Sequence, residues 1–404
     1  MIKQSLRILQ VHGWWKAEHP GGVITMMKTL TEALEERGHN VTVLISDWNS
    51  PQVTRDTEDG REFYKLRLPE RPERYWPLRR YLAWRLRHRA ALSRLQAFAR
   101  AHEIDIVHLH LASPYHEYFR LLHAGGGPPY IVTLHRGDVL AFAGMSSVRQ
   151  TLMLDLMRGA GASVAVSNWL AQKAAAMNDG RPVRCIHNAL NPRDFQLLED
   201  TTLPASLAAK LPARYAILLA NIHPYKAQDV AIAAWKKVRR QAADLHLLLT
   251  GTGAMEGDLR RQAEELGVDD RVHFLGHVLR PHALKIAQNA MCMIAPSRSE
   301  GLPYVGLEAG LVGRPIITSD IGPFLELVTP EKEALVVPVD DADALATAVL
   351  RLDGDVALRE RLALAMQARI KTDFLAPVMA MRYEQVYREV MAADAKTRAG
   401  NDKP

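Results

Sequence analysis

Two carboxylates stand out in the stretch APSRSEGLPYVGLEAGLVGRPIITSDIGPFLELV, which runs from Ala295 to Val328. Glu300 closes a strand-to-loop turn, and Glu308 follows eight positions later, inside a helix that Pro303 begins. That spacing sets the two about two turns apart on one side. Carboxylates accept hydrogen bonds from hydroxyls, and sugars and riboses are rich in hydroxyls. The backbone N–H groups of Gly301, Leu302 and Tyr304 lie at the start of the same helix, where the dipole favours an anion such as a diphosphate. A plainer account has Glu300 capping the helix and Glu308 as a surface carboxylate, and the pair alone leaves both open.

The elements that must hold these residues repeat along the chain. LRILQV reads as a buried strand; after Gly21 and Gly22 a helical pattern runs through Val23, Met26, Met27, Leu30 and Leu34, and VTVLIS is a second strand. IDIVHLH, YIVTLH, ASVAVS and VRCIHN continue the series, each short, apolar and followed by a loop. The period is lost between Asn191 and Ala213, where Pro, acids and small residues mix. A second series follows with YAILLAN, LHLLLTGTG, RVHFLG, AMCMIAPS, RPIITSD and ALVVPV. Alternating strands and helices build parallel sheets. The expected fold class is therefore α/β, with one domain over 1–198 and a second over 205–377. Ligands of such sheets sit beyond the carboxyl ends of the strands.

Composition narrows the class. A chain of 404 residues with 48% apolar content exceeds what one core usually supports, so two domains are the default. Its two cysteines, Cys185 and Cys292, have no metal-ligand spacing and point to a reducing compartment. The apolar opening of the chain turns polar at His12 and Gly13, well short of the ~20 residues that span a bilayer, so neither a signal peptide nor a transmembrane helix is expected. The net charge of +6 is concentrated between Arg61 and Arg100, where twelve Lys or Arg face three Glu. Tyr75, Trp76, Leu78, Tyr81, Leu82, Trp84, Leu86 and Leu92 are interleaved with those arginines. This pattern suggests a basic amphipathic helix able to lie on an anionic membrane face rather than a nucleic-acid site, with an ordinary surface helix as the alternative.

The Ala295–Val328 stretch resembles the E-x7-E signature of glycosyltransferase family 4, with its spacing intact. The likeness extends through GGV near residue 22, DIVHLH at 105–110, TLHRGD at 133–138, AVSNWL at 165–170, IHNALNPRDF at 186–195, LLTGTG at 248–253 and DDRVHFLGHV at 269–278. It implies a GT-B fold, two Rossmann-like domains with parallel sheets facing across a cleft. It also implies a C-terminal helix near 378–396 packing back on the first domain. The implied activity is a retaining transfer of a hexosyl unit from a nucleotide diphosphate-sugar to an acceptor hydroxyl. Carried onto this chain, the pattern has Glu300 bind hydroxyls of the donor sugar, Glu308 the ribose, and His135 stand near the reacting carbon. It implies that Gly21 and Gly22 approach the diphosphate, and it assigns Asn221, Gly251, Gly301, Leu302, Pro303 and Tyr304 to the donor. Asp138 falls on the acceptor side, with a helix cap as an equal account.

One departure matters. The family's GRLxxxKG reads ANIHPYKA here: Lys226 keeps the lysine, but Asn221 replaces the arginine and Ala227 the glycine. Losing one of two cations should weaken stabilisation of the departing diphosphate, and Arg298, or less directly His223, is the candidate replacement. Asp341 and Asp343 form a D-x-D better read as a helix cap. No metal and no other cofactor is expected. The expected partners are a nucleotide-sugar donor, a saccharide or lipid-linked saccharide acceptor of envelope or exopolysaccharide synthesis, and an anionic membrane surface reached through 74–100. The expected location is the cytoplasm, at the inner face of the membrane. The rival readings are an epimerase of the same fold and a nucleotide-sugar binder that has lost turnover.

Overall fold

The computed structural model describes residues 4–12, 21–58, 60–70 and 78–401. It divides into two compact units, Met1–Asn188 with Ala376–Pro404, and Ala189–Leu375. The first unit's strands are Arg7–His12 (β1), Asn40–Ser46 (β2), Thr54–Glu58 (β3), Arg61–Leu66 (β4), Ile106–His110 (β5), Tyr130–Leu134 (β6), Ala162–Ala165 (β7) and Arg184–Cys185 (β8). They form one sheet in the order β3-β4-β2-β1-β5-β6-β7-β8. All its pairings are parallel except β3 with β4. The second unit carries Tyr215–Leu219 (β9), His246–Thr250 (β10), Val272–Gly276 (β11), Cys292–Ala295 (β12), Ile316–Ser319 (β13) and Leu335–Val337 (β14). Its order is β11-β10-β9-β12-β13-β14, parallel throughout.

Both sheets follow from runs of apolar residues that are covered on two faces. Every residue of β5, β6, β12 and β13 is buried, which suits strands sandwiched by crossover helices. The polar hairpin Thr54–Leu66 was not foreseen. Its residues alternate too weakly to announce a strand, and it pairs at the sheet edge, where one face is wet.

The chain leaves the first unit at Asn188, ten residues before the expected boundary. Helix Arg193–Asp200, expected with the first unit, lies in the second, where Asp194 is bonded to Arg280. Helix Ala376–Asn401 lies in the first unit. Its Tyr387 meets the Nδ1 of His108 at 2.7 Å, and its Tyr383 meets Thr133 at 3.0 Å.

Helix Tyr304–Val312 is apolar nearly all round, and only Tyr304 and Glu308, one turn apart, are less than buried. A Cβ at Gly306 would collide with Leu327, and one at Gly310 with Ile370. Glycine at both positions lets the helix sit this close to its neighbours, which fixes the line along which Glu308 projects.

The basic segment forms helix Leu78–Ala101. Its apolar residues fall into two sets rather than one stripe. Trp84, Ala91, Leu95, Phe98 and Ala99 pack inward, while Leu78, Tyr81, Leu82 and Leu86 are exposed. Tyr75 and Trp76 lie outside the described residues. Among those described, no helix is long and apolar enough to cross a membrane.

Candidate functional site

In the second unit the polar residues gather beyond the carboxyl ends of β9 and β12. After β9 the chain makes a short helical turn, Pro224–Lys226. Lys226 donates from Nζ to Glu300 Oε1 at 2.6 Å, and Ser297 Oγ donates to the same oxygen at 2.8 Å. Glu300 is buried, its side chain 8% exposed, so this carboxylate needs both partners. Beside them is a small recess lined by Ala220, Lys226, Ala295, Ser297 and Val305. Gly301, Leu302 and Pro303 are buried behind Glu300, and Pro303 is the N-cap of the helix that carries Glu308. No side chain caps that helix, and its Gly306 N–H bonds back to the Pro303 carbonyl at 3.1 Å. Tyr304 turns away, its hydroxyl 3.4 Å from the Ala189 carbonyl oxygen.

Glu308 is neither an idle surface group nor a second ligand of Lys226. Its Oε1 accepts from Arg280 Nε at 3.2 Å, and Arg280 also forks onto Asp194 at 3.0 and 3.2 Å. Burial alone would lower the Arg280 pKa, but the carboxylates of Glu308 and Asp194 outweigh it and hold the guanidinium charged.

One expectation about this unit changes, and other residues gain a local packing account. Arg298 does not stand free as the missing cation. Its guanidinium is bonded to Asp229 at 2.6 and 3.1 Å, to Asp340 at 2.6 Å and to the Pro224 carbonyl at 2.5 Å, and its N–H donates to the Tyr225 carbonyl. It is a brace for the turn that presents Lys226. Gly251 has a packing reason to be glycine: it has φ +87°, and a Cβ would collide with the Ala220 carbonyl. Asn221 is exposed, with its backbone carbonyl bonded to Gln228. Ala227, where the family has glycine, keeps a left-handed backbone at φ 56° and ψ 42°. The conformation outlasts the residue that most easily adopts it. Asp341 caps helix Ala342–Gly354, accepting from Ala344 N at 2.7 Å.

The first unit gathers its polar groups at the carboxyl ends of β1, β5 and β6. Gly21 is the N-cap of helix Gly22–Glu36, which no side chain caps. Its φ of −175° is open to any residue, and a Cβ there would touch nothing within 4 Å. Neither conformation nor packing within the described residues calls for glycine at that point. His135 follows β6 and is buried. Asp138 accepts from His135 N at 2.7 Å and from Ala112 N at 3.0 Å, so both its oxygens are spent on backbone. The helix-cap account of Asp138 fits this geometry. Burial raises its pKa to about 6, against the pull of those N–H groups.

Beneath His135 lies a group of side chains that the sequence reading passed over: Gln10, His12, His108, His110 and His116, all buried. His108 and His110 alternate along β5, as Gln10 and His12 do along β1, and polar residues at period two in an apolar strand were the available signal. Both nitrogens of His110, Nε2 of His135 and His116, and both amide atoms of Gln10 have no hydrogen-bond partner among the described residues. Orphaned buried polar atoms are rare and call for an explanation such as a ligand or bound water. By contrast, a cavity of about 570 Å³ lined by Arg100, Asp105, Pro128, Pro129 and Arg398 stands at the amino ends of β5 and β6, away from these groups.

Burial, reinforced by neighbouring imidazoles, lowers the pKa of His108, His116 and His135 to about 3, and that of His110 far below its usual value. These imidazoles are neutral in the folded unit and titrate near 6.5 when unfolded. Their neutral burial is therefore compatible with full stability above about pH 6.5, and stability falls as pH drops from there towards 3, because protonation favours the unfolded chain. Each imidazole costs about 1.4 kcal/mol per pH unit in that window. Asp138 acts in the opposite sense but is a single group. We expect the first unit to lose its near-UV circular dichroism between about pH 6 and 4.5; a native spectrum kept at pH 4 would contradict the neutral, buried state of the cluster.

Comparison with known proteins agrees with this arrangement. Residues 20–194 match the family described as Glycosyltransferase Family 4, and residues 213–355 that described as Glycosyl transferases group 1. A glycogen synthase of Mycobacterium tuberculosis is 25% identical over 409 residues, covering 95% of this chain and 94% of its own. A GDP-mannose-dependent monoacylated alpha-(1-6)-phosphatidylinositol monomannoside mannosyltransferase of Corynebacterium glutamicum is 31% identical over 170 residues, 40% of this chain and 44% of that one. The crystal structure of the Anabaena protein HepE with UDP and glucose superposes with a TM-score of 0.73 at 16% identity, over 94% of this chain and 98% of that one. With both halves of the chain matched in order, and with two α/β units of this topology, the chain belongs to the family 4-like, group 1 glycosyltransferases of the GT-B fold.

Proposed function

We propose that the chain transfers a hexosyl unit, with retention of configuration, from a nucleotide diphosphate-sugar held by its second unit to a hydroxyl of a lipid-linked saccharide. The observation that carries this reading is the ion pair of Lys226 with buried Glu300, set beside an uncapped helix N-terminus, with Glu308 one helical stretch further on. A diphosphate can displace Glu300 from the Lys226 ammonium and settle at the positive end of the helix dipole. The released carboxylate is then able to accept hydrogen bonds from the sugar. Glu308 takes the ribose. As the bond from C1 to the phosphate oxygen breaks, charge grows on the diphosphate, and Lys226 and the helix dipole meet that charge without a metal. The acceptor oxygen bonds to C1 on the same face, and its proton passes to the departing phosphate oxygen. We assign His135, Gly21 and Gly22 of the first unit to the same reaction.

The lipid-linked acceptor is supported by helix Leu78–Ala101. Leu78, Tyr81, Leu82 and Leu86 are exposed among Arg79, Arg80, Arg85 and Arg89, which have no ion-pair partner among the described residues. Apolar side chains interleaved with unpaired arginines suit an anionic lipid surface. The test is incubation of the protein with a panel of labelled nucleotide sugars and a bacterial lipid extract, with NMR assignment of the product's anomeric centre. Label entering lipid with the donor's configuration is the expected result. Inversion would refute retention, transfer to soluble saccharides only would refute the lipid acceptor, and the absence of any transfer would refute the activity.

A further inference from the structure

Arg280 begins helix Arg280–Asn289, just after the loop that follows β11. Its three bonds reach two other helices: the Nη1 and Nη2 fork grips both oxygens of Asp194 on helix Arg193–Asp200, while Nε takes Oε1 of Glu308 on helix Tyr304–Val312. The fork leaves the guanidinium no rotational freedom, because a planar group bound at two parallel points is fixed in its plane. Glu308 Oε1 is thereby held in place. Its other oxygen, Oε2, receives no hydrogen bond among the described residues and is not a sealed, orphaned atom. The trio of one guanidinium and two carboxylates keeps a net charge of −1, and the unspent acceptor capacity lies on that oxygen.

We infer that Arg280, locked by Asp194, is a positioning residue that presents the Glu308 carboxylate with one oxygen engaged and the other open to accept from a vicinal diol. This rests on the reading of Glu308 as the ribose ligand. A mere staple between three helices would contribute to stability but not to affinity per folded molecule. A positioning residue contributes to affinity, as the partners that orient a metal's ligands do, whose removal typically costs about 10–100-fold. Lysine cannot replace it fully, because an ammonium lacks the fork.

The test is titration calorimetry of the full chain with UDP, GDP and ADP, using whichever binds the wild type, on Arg280→Gln, Arg280→Lys, Asp194→Asn and Glu308→Ala, with melting temperature read alongside. The inference expects Arg280→Gln to raise Kd about tenfold or more, with kcat at saturating donor within about threefold of wild type. Arg280→Lys and Asp194→Asn should each give a smaller rise, and neither should restore wild-type affinity. Asp194→Asn keeps the inference testable if Arg280→Gln fails to fold. If Glu308→Ala weakens binding while all folded Arg280 and Asp194 variants bind as wild type, only the positioning role is overturned. If Glu308→Ala itself binds as wild type, the ribose reading falls, and the inference with it.

Discussion

Replacing Lys226 with alanine is expected to lower kcat at saturating donor by roughly 10²–10³-fold, the usual cost of removing one group that meets charge developing in the transition state. The chain has Asn221 where its relatives in motif carry arginine, and Arg298 is fully engaged with Asp229, Asp340 and Pro224. Lys226 therefore bears more of the leaving-group charge than one cation of a pair would. The substitution also strips Glu300 of its counter-ion, leaving the buried carboxylate with Ser297 alone. That structural cost is of the order of 3–5 kcal/mol, since a buried carboxylate loses its counter-ion. The double variant Lys226→Ala with Glu300→Gln isolates the structural cost: it relieves the unpaired charge and recovers melting temperature relative to Lys226→Ala. Lys226→Ala with kcat within threefold of wild type would remove the lysine from the chemistry.

Glu308→Ala is expected to raise the Kd for the nucleoside diphosphate by about 10–100-fold, matching the ~1.5–3 kcal/mol that a hydrogen bond to a charged acceptor contributes. The fold should tolerate the change, because Arg280 keeps its two bonds to Asp194 and is not left as an unpaired buried charge. Unaltered affinity in a folded variant, measured by calorimetry, would exclude Glu308 from the nucleotide site.

The elements of the sheets were readable because each parallel strand is buried on both faces and shows as an unbroken apolar run. β3 and β4, half-solvated at an edge, gave no such run, and neither did the true end of the first unit, because the apolar turn of helix Arg193–Asp200 is short and its partners, Arg280 on Asp194 and Lys285 on the Leu198 carbonyl, lie 86 and 87 residues away in sequence. Local motif and spacing singled out Glu300, Glu308, Lys226 and His135 as candidates. They could not say what those side chains bind in the empty protein. Arg298 looked like a free cation because its three acceptors, Pro224, Asp229 and Asp340, come from two distant loops and a helix start. For Asp138 the cap within its own helix was legible, but the second N–H it accepts from, that of Ala112, lies 26 residues earlier on the neighbouring strand's loop. Arg280 lies outside every motif and Asp194 is one letter of IHNALNPRDF with no role attached to it; the packing of three helices reveals their pairing. The histidines under His135 had the clearest unused signal, the alternation in IVHLH.

The central claim is that the second unit holds the nucleoside diphosphate between the turn at Lys226 and the start of helix Tyr304–Val312. Amide hydrogen exchange of the full chain, with and without a saturating nucleoside diphosphate, reads that directly. Slowed exchange in peptides spanning 221–230 and 298–308 is the predicted result; saturation of the protein with no change in either segment would contradict the account.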